Sequence, residues 1–460
     1  AASDVYKRQG SQSMRVIALA ARKLKDDEDL DDMSVIENNL IFLGLVGIMD
    51  PPRPEVKEAI QVCQDAGIKV KMITGDHHMT ASAIGKELHI QGAEHKPVSG
   101  ADLRTMSDDD LTESVEKAIF SRVTPDQKMR IVSSLQEQGE IVAMTGDGVN
   151  DAPALSRANI GIAMGISGTD VAKDAADMVL QDDNFANIVH AVEEGRKIYQ
   201  NIRNFVRYQV STNVAAVALI VISTFIFGWE LPLTATQILV INILMDGPPA
   251  VALGVEKRHG NVMSRPPRPV DEGLPNSRDI ALIFYLGAVM VIGTLVVFFL
   301  AGGGVYGNEC SLAPFTDDTD AGFSQQDCLQ GDEAALSAWE SYSESTFADA
   351  QTMTFAVFIV FQLFNVLNCR SEKESLFSLG LFSNKAINYA ILASGLLLFS
   401  FVHFSTLPLP LIGIEFGNLL STTPLKRIDW VVLVAVASTV LLVEEFRKFM
   451  MNSGFFRVRR

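Results

Sequence analysis

The sequence predicts a cytosolic α/β domain built on a parallel sheet, followed by an all-α bundle of six transmembrane helices. Two observations carry this. Up to about Tyr208 the chain is charged and mixed, whereas long apolar stretches dominate beyond it. Within the first part, short β-branched runs alternate with stretches of helical spacing, the pattern of a parallel sheet with helices on both faces.

The first part reads element by element. Ile68–Thr74 is a β-branched run that ends in Gly-Asp, and Thr80–Leu88 then has helical spacing. Pro125–Leu135 reads as a helix, with Thr124 as N-cap and Pro125 in the first turn. Ile141–Thr145 is a second apolar run that ends in Gly-Asp, and Asn159–Met164 and Met178–Leu180 read as further strands. In such a sheet ligands sit at the carboxyl ends of the strands, where both Gly-Asp pairs fall.

The second part holds six apolar stretches: Val210–Phe227, Thr234–Leu253, Ile280–Leu300, Thr352–Leu367, Ile387–Phe404 and the short Trp430–Val443. A helix of roughly 20 residues crosses the hydrocarbon layer. Lys257, Arg258, Arg265, Arg268 and Arg278 follow the second stretch, and Arg370, Lys373 and Lys385 the fourth. The segment Gly302–Ala350 has no Lys or Arg and ten Asp or Glu residues, Glu309 and Asp317 among them. Basic loops stay on the cytoplasmic side, so both ends of the chain are expected there; Lys426 and Arg427 go against that pattern. Cys310 and Cys328 share the acidic loop, either as a disulfide or as two thiols. Cys63 and Cys369 read as core residues.

Composition bounds the function. With 48% hydrophobic residues the chain is too apolar for a disordered acidic tail. Its 55 acidic against 38 basic residues argue against nucleic acid as a partner. Four cysteines exclude a small disulfide scaffold. The chain begins Ala1-Ala2-Ser3, as expected of a piece of a longer protein.

Two strand ends carry related chemistry, Thr74-Gly75-Asp76 and Thr145-Gly146-Asp147-Gly148-Val149-Asn150-Asp151. Glycines let backbone amides approach a phosphate. Asp147 and Asp151 flank a Gly-rich turn and offer hard oxygens to Mg2+. The Thr74 hydroxyl and the Lys128 ammonium supply a donor and a point charge for a phosphoryl group. One Thr-Gly-Asp is a common turn, and a lone helical lysine is usually a solvated face. Two such motifs with an intervening Pro-Asp-Gln-Lys form a phosphoryl-transfer set.

The run Thr145–Leu155 resembles the hinge signature of the P-type ion-pumping ATPases, in their type II, calcium-pump branch. Asp50-Pro-Pro-Arg53 is similar to that family's return hinge, and Arg122–Lys128 to its segment with a phosphate-sensing lysine. The resemblance implies a haloacid-dehalogenase-like Rossmannoid domain. It divides the chain into a nucleotide-domain remnant (1–49), a phosphorylation domain (50–184), a stalk (185–208), a six-span membrane domain (209–450) with the acidic loop 302–350, and a cytoplasmic tail (451–460). It implies ATP and Mg2+ as cofactors. Thr74 and Lys128 would bind the phosphoryl group, Asp147 would hold Mg2+ with Asn150 and Asp151 orienting it, and Gly75, Asp76 and Arg122 would lie by the nucleotide. His77 stands where the family usually has Asn. Asp-Lys-Thr-Gly-Thr, the family's phosphorylated motif, does not occur, so this piece alone is expected to be inactive.

In the membrane half, Asp246 lies inside the second apolar stretch, where an ionisable group is costly and functional by default. Asn242 precedes it by one helical turn, and Asn213, Gln362 and Asn365 lie in other stretches. Asp246-Gly247-Pro248-Pro249 breaks the helix and can free carbonyl oxygens for a cation. Oxygen donors around one carboxylate suit Ca2+ or Mn2+. Ala216, Met245 and Gln362 stand where two-site calcium pumps have ligands, a pattern more similar to the plasma-membrane and secretory-pathway pumps. The resemblance implies export of one Ca2+ or Mn2+ from the cytosol, bound by Asn242 and Asp246, with Asn213 and Gln362 peripheral. Asn213, Gln362 and Asn365 equally suit interhelical hydrogen bonding. The competing readings are a pump for Na+, K+ or H+, and a non-catalytic membrane protein. Lys197, Arg203 and Arg207 suit a stalk or anchorage at lipid headgroups. Membrane lipid is the remaining expected partner, and no obligate protein partner is legible.

Overall fold

The computed structural model describes residues 4–5, 8–9, 14–23, 37–48, 51–115, 119–257, 260–303, 333–404 and 420–453. Asp50, Cys310 and Cys328, with the hinge and disulfide expectations attached to them, lie outside those residues. The chain divides into two compact units. One comprises Ala1–Gly195 with Asn261–Glu272, and the other Arg196–Gly260 with Gly273–Arg460.

In the first unit, β1 (Arg15–Ala21) and β2 (Ile41–Ile48) form an antiparallel ribbon. Six further strands form two parallel sheets of three. β5 (Ile119–Ser121) lies between β3 (Met72–Ile73) and β4 (Val98–Ser99), and β7 (Ile160–Met164) between β6 (Ala143–Gly146) and β8 (Met178–Leu180). The central strands are the driest, with Phe120 and Ala163 fully buried, as expected for strands covered on both faces. The sequence anticipated one sheet and a strand over Ile68–Thr74; only Met72–Ile73 pair, with Ile119 and Phe120.

The helix Pro125–Glu137 begins where expected. Its start is fixed by Gln127, whose Oε1 accepts from the Thr124 amide at 3.0 Å while its Nε2 donates to the Gly100 carbonyl at 2.7 Å. The same buried side chain thus caps a helix and fastens it to the start of the helix Gly100–Thr105 that follows β4.

Among the described residues, five helices are long and apolar enough to cross a membrane: Ala186–Ile226, Ala235–Gly254, Ser277–Leu300, Glu340–Asn368 and Lys385–His403. A sixth helix, Arg427–Asn452, falls short because Arg427, Asp429, Glu444 and Glu445 leave only Trp430–Val443 uncharged between them. Expected loop residues up to Ala350 are partly helical instead, within Glu333–Asn368. This helix is central: 89% of its most apolar window is buried, and Phe355, Phe358 and Phe361 are fully enclosed. By contrast, Ser277–Leu300 encloses Leu286, Met290 and Phe298 while exposing Ile292 and Phe299. A helix apolar all round is what a lipid surround demands.

Candidate functional site

The first unit gathers its predicted phosphate-site residues into two groups. In one, the Thr74 hydroxyl donates to Asp76 Oδ2 at 3.1 Å and accepts from the Asp76 amide at 3.1 Å. The Asp76 carbonyl accepts from the Arg122 amide at 3.1 Å, and Arg122 sits at φ 51°, in the left-handed region. Pairing of β3 with β5 brings these two loops together. Gly75, Asp76 and Arg122 are exposed and Thr74 is half-buried.

In the other group, Lys128 Nζ donates to Asp151 Oδ1 at 2.5 Å, with both side chains largely buried. Asp151 Oδ2 accepts from the amides of Gly148 at 3.1 Å and Asp147 at 3.3 Å. A side chain at position 146 would meet Asp151 Cβ at 2.5 Å, so only glycine lets the loop close on this carboxylate. Asp151 is therefore a loop organiser with both oxygens engaged. The carboxylate of Asp147 and the amide of Asn150 remain exposed at the carboxyl end of β6. No hydrogen bond joins the two groups among the described residues.

No cluster of three or more His, Cys, Asp or Glu able to hold a metal occurs among the described residues. Asp147 still fits Mg2+, which takes one or two carboxylates and completes its shell with water and phosphate oxygens. His77 caps the helix His78–Glu87. Partial burial, with His78 and Arg122 nearby, lowers its pKa below 6.5, so it favours the neutral form.

Sequence reasoning missed Asp183. This residue adopts φ 54°, and its carboxylate accepts from the amides of Ile166 and Ser167, each at 2.9 Å. Those bonds hold its pKa down to about 2. Its carbonyl accepts from Arg53 Nη1 at 2.6 Å, tying the Pro-Pro-Arg segment to the one after β8.

In the second unit, Asp246 is fully buried. Tyr208 donates to its Oδ1 at 3.1 Å and Thr212 to its Oδ2 at 3.2 Å. Asp246 follows a π-turn, Ile241–Met245, and its amide reaches back five residues to the Ile241 carbonyl at 2.9 Å. Pro248 and Pro249 carry no N–H, so the carbonyls of Leu244 and Met245 lose their donors four residues on.

Asn242 is exposed while Asp246 is enclosed. Asn213 is half-buried. Gln362 is 1% exposed, and neither of its amide atoms finds a hydrogen-bond partner among the described residues. Asn365 donates to Ser211 Oγ at 2.9 Å, as the interhelical reading expected. Arg207 is buried against Asn204 rather than turned to headgroups, and Arg203 pairs with Asp279 at 2.7 Å. Tyr208 and Thr212 escaped the sequence reading. The signal that finds them is polar residues recurring at helical spacing where the charged half of the helix gives way to its apolar half.

Residues 230–450 match the family model described as cation transporting ATPase, C-terminus, and residues 3–159 match haloacid dehalogenase-like hydrolase. Relatives include "Calcium-transporting ATPase 1" of Yarrowia lipolytica, 38% identical across 98% of this chain and 43% of that protein. "Calcium-transporting ATPase 1" of Schizosaccharomyces pombe is 39% identical over 95% of this chain and 43% of its own length. Human "Calcium-transporting ATPase type 2C member 2" is 39% identical over 96% of this chain and 40% of its own length. The chain thus spans less than half the length of these curated relatives.

Proposed function

The chain belongs to the cation-transporting ATPases, with a haloacid-dehalogenase-like domain ahead of their C-terminal region, and from that premise we propose that it is part of an ATP-driven pump exporting Ca2+, or Mn2+, from the cytosol. The observation that carries this reading is Asp246, a fully buried carboxylate at a helix break in a span candidate. An ionisable group there is costly, and a travelling divalent cation gives it a counter-charge. Tyr208 and Thr212 fix both of its oxygens, and Leu244 and Met245 offer carbonyls beside it. Oxygen donors of this kind suit a hard cation.

The reading includes six spans, with Arg427–Asn452 as the last and both ends of the chain in the cytosol. Burial near the C-terminal end of that helix supports its place in the bundle, since Glu444 and Lys448 are each 1% exposed. One cation is carried per cycle. Asn242 joins Asp246 once the fuller protein covers its exposed face, and Asn213 and Gln362 stay peripheral. Ala216 is buried next to the Tyr208 face without any charge to offer a second ion.

In the first unit, Thr74 and Lys128 bind the phosphoryl group of ATP, Asp147 and Asn150 face Mg2+, and Asp151 holds the loop and Lys128 in place. Mg2+, when bound, neutralises charge on the transferred group. Gly75, Asp76 and Arg122 lie by the nucleotide. The acceptor carboxylate comes from a part of the protein outside these residues. Radioactive calcium uptake by vesicles carrying the full-length protein tests the reading. Uptake driven by ATP is expected in wild type and lost in Asp246→Asn; equal uptake by both removes Asp246 as the transport ligand.

A further inference from the structure

We propose that the helix Ala186–Val221 splints the Asp246-bearing segment at both of its ends, with Asn201 as the positioning residue at the end away from the carboxylate; this rests on the transport reading. The residues involved are Asn201, Asn204, Tyr208, Ser211 and Thr212. Their spacing of three and four places them on one face of the helix. All five are at most 5% exposed. Polar groups enclosed in this way need partners, and each has one.

Three of them, Asn201, Tyr208 and Thr212, reach the two ends of one short segment. Tyr208 and Thr212 hold Asp246 at its start. Asn201 Nδ2 donates to the carbonyls of Gly254 and Glu256, each at 3.1 Å, at its finish. Between these grips lies the helix Gly247–Gly254, which opens on two prolines. The second grip is itself locked. Arg370 meets the Glu256 carboxylate at 2.9 and 3.1 Å, Asn384 donates to it at 2.9 Å, and the Arg370 carbonyl accepts from Asn204 at 3.0 Å.

Held at one point, the segment would pivot about the Tyr208 hydroxyl, and the π-turn and prolines would let it. Held at two points, Asp246 keeps its distance from the helix and moves with it. Asn201 touches no cation and acts only through the segment it fastens.

The test uses the full-length pump in phosphatidylcholine vesicles with Ca2+ alone as the probe. It measures the Ca2+ concentration for half-maximal ATP hydrolysis, the Ca2+ taken up per ATP, and the melting temperature in detergent. Asn201→Ala is expected to raise the half-maximal concentration about fivefold and to lower uptake per ATP. Asn201→Ser, which keeps a donor, should recover part of both and stands in if Asn201→Ala does not fold. Wild-type values for both quantities overturn the splint. So does a lower total activity at unchanged half-saturation and ratio, which marks a merely structural residue. A wild-type protein with no Ca2+-stimulated hydrolysis removes the transport reading and this proposal with it.

Discussion

Lys128 and Asp151 form a short ion pair, largely shielded from solvent, and the lysine is the cation of that group. Lys128→Ala in the full-length pump should slow phosphoryl transfer by about a hundredfold or more, read as the rate of ATP hydrolysis at saturating Mg2+. Asp151→Asn should also cost activity through the loop, because Gly148 and Asp147 lose a charged acceptor. Asp183 offers a pH test. Its folded pKa of about 2 lies below the ordinary 3.8, so its contribution to stability is present above 3.8 and is lost as pH falls through about 2. The melting temperature of Asp183→Asn should therefore lie below wild type near neutral pH, and the gap should close as the solution is acidified through that window.

The break around Asp246 is an element-scale feature, made by a π-turn on one side and two prolines on the other. Replacing both prolines with alanine returns donors to the carbonyls of Leu244 and Met245. The apparent affinity for Ca2+ should fall by about tenfold, or ~1.4 kcal/mol, in a hydrolysis titration. The prolines were legible because they interrupt an apolar run, whereas the π-turn was not. A period of 3.6 assigns Asn242 to the face of Asp246, yet Asn242 is exposed and Asp246 enclosed, a difference in burial that the period does not announce. Strands β4 and β5 were missed for a different reason. Each has three residues or fewer, and their burial comes from neighbours distant in sequence. The helix Pro125–Glu137 begins at a local signal, a proline in its first turn, so local reasoning served there.

At the scale of the whole membrane unit, polar residues are held by partners from other helices. Glu256 and Arg370 are 1% and 0% exposed and stand 114 positions apart. Removing one partner, as in Arg370→Met, should destabilise the protein by about 3–5 kcal/mol, because the other charge stays buried. Pairing that change with Glu256→Leu should recover much of the loss in thermal unfolding followed in detergent. No pattern within either segment marks such a pair, since each residue alone looks like an ordinary loop charge. Separately, the enclosure of Glu333–Asn368 bears on how the protein is made. Thr352, Gln362, Asn365 and Asn368 all point into company, and Asn368 donates to the Val440 carbonyl at 3.0 Å. That carbonyl belongs to a helix which leaves the ribosome only later. Until it arrives, a freshly synthesised chain has the Asn368 amide uncovered in the bilayer, and shelter from an insertase or delayed lateral release would suit that interval.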